Sequence, residues 1–117
     1  MQKMAYILCH RHQIKHIKMN ETELRRDVLL SVQKALWGMI YPSIRAIAIG
    51  FEGVKKFKII YYLDREPDTE DYENISDVSG EVCADINFSE VEEICKYTKE
   101  SITNLDNLSS WVYIRKE

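Results

Sequence analysis

The sequence predicts a two-layer α+β domain of order α-β-β-α-β-β: a four-stranded antiparallel sheet with two helices packed on one face. Three observations predict it. Two segments carry apolar residues at helical spacing behind a capping signal, two period-two segments flank Glu52-Gly53, and two further strand-like segments follow the second helix.

The first helix is expected over Glu21 to Trp37. Asn20-Glu-Thr-Glu23 reads as an N-cap with an acid three positions on, and Leu24, Val28, Val32, Ala35, Leu36 and Met39 follow at helical spacing. Gly38 can end the helix, and Pro42 prevents its continuation. Leu30 and Trp37 fall off the apolar stripe, so they are either covered by another segment or exposed as a contact patch.

Ile44 to Phe51 alternates Ile47, Ile49 and Phe51 with Ala46, Ala48 and Gly50, and Lys56 to Leu63 alternates Phe57, Ile59, Tyr61 and Leu63 with Lys58, Ile60 and Tyr62. Around Glu52-Gly53 this is a β-hairpin. The small Ala/Ala/Gly face suits close packing by a helix or simple exposure; pattern does not choose. Asp68 caps a second helix to about Ala84, with Tyr72, Ile75, Val78, Val82 and Ile86 on its apolar side. Strands are expected near Phe88 to Tyr97 and Trp111 to Arg115, joined by the polar stretch Thr98 to Ser110. Consecutive strands linked by short turns favour antiparallel pairing throughout.

Composition bounds the function. The chain has 117 residues, 45% of them hydrophobic, with two prolines and four glycines, which is one domain with a real core. No apolar run reaches the roughly 18 residues of a bilayer span. Cys9, Cys83 and Cys95 are odd in number without Cys-x-x-Cys spacing, so neither a disulfide framework nor a zinc knuckle is indicated, and a reduced cytoplasmic location is the default.

The net charge is -3, but residues 1–18 carry four bases and no acid, leaving -7 on residues 19–117. Residues 1–18 read as a basic, histidine-containing leader, partly ordered or outside the native chain, with Met19 a candidate first residue and 19–117 a single domain. His12 and His16, four apart, could chelate a metal on a helix, yet no nearby acid completes the set, and no metal or other cofactor is expected.

From Asp64 to Asp85 there are nine acids and one base, a net charge of -8. Glu70, Glu73, Asp77, Glu81 and Asp85 fall within one arc of the second helix, opposite its apolar stripe. Like charges four apart repel, and acids at a helix C-terminus oppose the macrodipole, so the ribbon is a poor way to stabilise a helix. A partner with a basic cleft would explain it; the plain alternative is a solvated face. Catalysis is disfavoured: exposed acids lack the burial that separates pKa values, no nucleophile or phosphate-loop motif occurs, and no histidine follows His16. A divalent-metal site at Asp64, Glu66 and Asp68 lacks the glycine and distal Glu of a calcium loop. Tyr61 and Tyr62 put one ring on each sheet face, and Trp111 with Tyr113 puts two on one face; Tyr62 or Trp111 on an open face could anchor a partner beside the acids. The surrounding charge is acidic, so direct nucleic-acid binding is not expected.

The element order, Arg45-Ala-Ile47, the stretch Tyr61-Tyr-Leu-Asp-Arg-Glu-Pro-Asp-Thr-Glu-Asp-Tyr72 opening the acidic helix, and the ending Trp111-Val-Tyr-Ile-Arg-Lys-Glu117 resemble small bacterial immunity proteins of contact-dependent growth inhibition and related polymorphic toxin systems. The resemblance covers 19–117. It implies a non-enzymatic cytoplasmic protein that binds and blocks a cognate toxin domain, often a nuclease with a basic cleft. The residues expected to carry binding are Glu66, Glu70, Glu73, Asp77, Glu81 and Asp85, with Tyr62 and Trp111. The other reading is a homo-oligomeric structural or regulatory domain, a homodimer through Leu30 and Trp37, whose acids are only solvated.

Overall fold

The computed structural model describes residues 20–117, so the histidines and the leader lie outside the described residues. Helix α1 spans Glu21–Ala35 behind an Asn20 cap whose side chain accepts from the Glu23 N–H at 2.8 Å. Leu24, Val28, Val32 and Ala35 are buried, and Gly38 at φ 75° carries the chain out of the last turn. Strands β1 (Ile44–Glu52) and β2 (Lys56–Leu63) form the expected antiparallel hairpin, turned at Gly53 with φ 52°. Helix α2 spans Thr69–Asp85, and β3 (Glu90–Tyr97) and β4 (Ser110–Ile114) complete the domain.

The sheet is not antiparallel throughout. Its spatial order is β3-β2-β1-β4, with β1 antiparallel to both neighbours and β3 parallel to β2. Helix α2 is the reason: a crossover of 17 residues returns the chain to the end where β2 began, so β3 leaves in the same direction. The consecutive strands β3 and β4 are therefore not partners but the two edges of the sheet.

Both helices cover one face, where Ile44, Ile47, Ile49, Phe57, Ile59, Tyr61 and Leu63 meet Leu24, Val28, Val32, Ile75, Val78 and Val82. The opposite face, Ala46, Ala48, Ile60 and Tyr62, is neither helix-covered nor exposed: Ile102, Leu105 and Leu108 of the β3–β4 connection pack across it. That stretch is polar in composition, but its apolar residues recur every third position and all turn inward. Leu108 is drawn so close that a Cβ added at Gly50 would lie 3.1 Å from its own Cβ, which is why the crossing point carries no side chain.

Two bulges break the alternation. Arg45 is the extra residue of β1, which lets both Ile44 and Ile47 face the helices while its own side chain turns to the C-terminus. Val112 is the extra residue of β4, so Trp111 packs with the small-residue face and Tyr113 with the helix face. The expectation of both rings on one side fails for that reason. Tyr72, expected on the apolar stripe of α2, is 47% exposed.

Tyr61 is fully buried, and its hydroxyl finds no hydrogen-bond partner among the described residues. Removing an unpaired buried hydroxyl recovers desolvation free energy without breaking a bond. Tyr61→Phe is expected to leave stability unchanged or raise it by up to about 1 kcal/mol in urea denaturation; a clear loss of stability would reveal a partner for the hydroxyl.

Candidate functional site

The acidic helix begins with a reciprocal cap: the Asp71 N–H donates to Asp68 Oδ1 at 3.1 Å, and the Asp68 N–H donates to Asp71 Oδ2 at 2.8 Å. Asp71 is 1% exposed and is an anchor, not a surface charge. It accepts hydrogen bonds from the two terminal guanidinium nitrogens of Arg65 at 2.7 and 3.0 Å and from the Tyr41 hydroxyl. Burial alone would raise the Asp71 carboxyl, but the hydrogen bonds from Arg65, Tyr41 and the Asp68 N–H, with the Arg65 charge, hold it well below the usual carboxylate range. Burial and the same carboxylate push the Tyr41 hydroxyl far up.

Other acids of the stretch are also neutralised within the fold. Asp64 lies 2.7 Å from Arg115, and Asp85 accepts from Ser31 at 2.7 Å with Lys34 at 3.6 Å. Asp68 is the helix cap and stands 3.7 Å from Arg65. Asp64, Glu66 and Asp68 thus do not converge, and no group of three or more His, Cys, Asp or Glu side chains suited to a metal ion occurs among the described residues.

What remains is Glu66, Glu70, Glu73, Asp77 and Glu81. All are exposed, and none belongs to any ion pair formed among the described residues. Glu70 to Glu81 covers eleven residue steps, or roughly 16 Å along the helix axis, on the face turned from the sheet. No base stands in the last turn to offset it. Such an array can attract a cationic surface over a distance of about a Debye length.

The two aromatic candidates sit elsewhere. Tyr62 is 3% exposed beneath the β3–β4 connection, its hydroxyl donates to the Asp106 carbonyl at 2.8 Å, and its ring meets Trp111 edge-on at 5.8 Å. The structure brings these rings together, but on the sheet face remote from α2, not beside the acids. The aromatic ring that α2 itself exposes is Tyr72, whose position at the rim of the helix's apolar arc was the available signal. Leu30 on α1 and Trp37 just after it are 63% and 76% exposed; cover by the leader, the other expectation for them, lies outside the described residues.

At the ends of the strands an open cleft of about 410 Å³ is lined by residues including Arg45, Asp64, Tyr97, Arg115 and Glu117. Arg45, Asp64, Arg115 and Glu117 are engaged with one another, whereas Lys99 and Lys116, which also line it, belong to no ion pair formed among the described residues. Arg45 donates to both Glu117 carboxylate oxygens at 2.8 Å and to the Thr98 carbonyl at 2.9 Å, and Arg115 reaches Glu117 at 2.9 Å. The Arg45 and Arg115 hydrogen bonds lower the Glu117 carboxyl to about 2. Burial pushes the Cys95 thiol up to about 12, so it is no nucleophile at neutral pH.

Among the described residues no helix is long and apolar enough to cross a membrane. A search of curated proteins finds no match. The sequence model of the MafI2 immunity protein family matches residues 25–117, a span that holds most of α1, the whole sheet, the acidic α2 and the C-terminal Arg45–Glu117 clamp. With that extent of match over the elements that build the surface just described, the chain belongs to the MafI2 immunity protein family.

Proposed function

We propose that this protein is a non-enzymatic immunity protein that binds a cognate toxin domain in the cytoplasm and neutralises it through the acidic face of α2, the toxin being a nuclease with a basic cleft. Family membership supports the toxin-neutralising role. The observation that carries the mode of binding is the selective neutralisation of the stretch: Asp64, Asp71 and Asp85 are tied to bases or hydroxyls of the fold, while Glu66 before α2 and Glu70, Glu73, Asp77 and Glu81 along one side of it are left to solvent. Carboxylates at helical spacing offer Lys and Arg side chains the charge they would meet on a nucleic-acid backbone, and steer encounter before contact.

The test is the salt dependence of affinity for the cognate toxin domain. Titration calorimetry is expected to show Kd rising about tenfold or more between 50 and 200 mM salt, because exposed charge pairs are screened. An affinity flat across that range would sink the acidic-face reading. The homo-oligomer reading draws on the exposure of Leu30 and Trp37. Sedimentation of Trp37→Ala against the parent chain decides it: a dimer dissociated by the substitution supports self-association, and two monomers remove it.

A further inference from the structure

The two edges of the sheet are treated differently. The β4 edge is five residues long, carries the bulge at Val112, and has the Val112 carbonyl occupied by the Gln33 side chain at 3.3 Å. Short, bulged and capped edges resist addition of another strand. The β3 edge has none of these devices. Its eight residues keep unbroken register with β2 from Lys56↔Glu90 to Leu63↔Tyr97.

The ladder identifies which backbone groups face outward. Glu90 N–H donates to the Lys55 carbonyl at 3.0 Å, and Thr98 N–H donates to the Leu63 carbonyl at 3.1 Å. In a parallel ladder, alternate residues bond to the same neighbour, so Glu92, Ile94 and Lys96 also turn toward β2. Val91, Glu93, Cys95 and Tyr97 turn their N–H and C=O groups to the open edge, where no described residue meets them.

Helix α2 rides above this edge, fixed by the Ser76 hydroxyl donating to Glu93 at 2.8 Å and by a second bond from Ser79. At about 100° per residue, the side of α2 beyond Ser76 carries Glu73 and then Asp77. A strand added to β3 would lie below these unneutralised acids. We propose that the β3 edge is a strand-docking site whose occupant is an extended segment of the cognate toxin bearing Lys or Arg, its backbone completing the ladder and its cationic side chains reaching toward Glu73 and Asp77. This rests on the immunity reading above and deepens it: the acids steer, and the edge fixes geometry.

The experiment is amide hydrogen exchange by NMR on the full chain, alone and saturated with the cognate toxin domain. Amides of Glu92, Ile94 and Lys96 are expected to be protected in both states, and those of Val91, Glu93, Cys95 and Tyr97 to gain about tenfold or more protection only in the complex. A saturated complex in which the second set is unchanged overturns edge docking and leaves the immunity reading standing; absence of any complex overturns both. Glu93→Pro and Glu93→Ala form a second test, because both lose the serine bonds but only proline removes the outward N–H. The proline variant is expected to bind about tenfold or more weakly than the alanine variant. Equal affinities would refute the ladder.

Discussion

Replacing Glu73, Asp77 and Glu81 together by lysine is expected to weaken binding of the cognate toxin domain by about a hundredfold while the domain stays folded. Each exposed ion pair is worth about 0.2 to 1 kcal/mol, and reversal replaces that attraction with a comparable repulsion, so three positions together reach roughly 3 kcal/mol. The fold is spared because the three side chains are exposed and outside every ion pair formed among the described residues. Lysine toward the C-terminal end of α2 also suits the helix macrodipole better than an acid does. Circular dichroism checks the fold, and calorimetry checks affinity. Glu100→Lys, an exposed reversal on the β3–β4 connection, is the control expected to change little. Equal losses in both proteins, or none in the triple variant, would show that the ribbon is not the interface.

Asp71→Ala is expected to have the larger effect on stability, a loss of about 3 kcal/mol in urea denaturation. One carboxylate there caps α2, accepts from the two terminal nitrogens of Arg65 and from the Tyr41 hydroxyl, so it ties the start of α2 to the β2 end and to the α1–β1 connection. Its removal leaves the Asp68 N–H and the Tyr41 hydroxyl without their acceptor. A loss below about 1 kcal/mol would mean that water replaces the carboxylate at little cost.

The same group sets the acid sensitivity of the fold. Asp71 and Glu117 both have folded-state pKa values below their ordinary ones, so the native state binds fewer protons than the unfolded chain. Their contribution is complete above the ordinary carboxylate range and is lost as pH falls through the depressed values. Tm is expected to fall steeply from pH 4.5 toward about 2, the interval over which Glu117 is shifted, and less steeply in Asp71→Asn. Parallel slopes in the two proteins would remove Asp71 as a contributor.

Much of the fold was legible because its signals are local. The Asn20 and Asp68 caps, the apolar periods of α1 and α2, and the alternation on either side of Gly53 each lie within a few residues of the structure they specify. The acidic ribbon was legible for the same reason, since residues three and four apart must share a helix face. Even the packing stretch Ile102, Leu105 and Leu108 had a trace in its spacing, although its polar composition hid its role as the cover of the small-residue face.

What the sequence by itself determined, then, is the kind and order of the elements, the side of α2 that carries charge, and the resemblance later matched by the family over residues 25–117. Tertiary structure alone decided that β3 runs parallel to β2, that β3 and β4 form opposite edges, and that bulges at Arg45 and Val112 turn neighbouring side chains to different faces. It also decided which acids remain charged toward solvent, because Asp64 finds Arg115 and Asp85 finds Ser31 across more than fifty positions of chain. Hydrogen bonds and ion pairs between distant segments depend on how the layers stack. That stacking is set by burying the apolar stripes together, and no window of local sequence contains it.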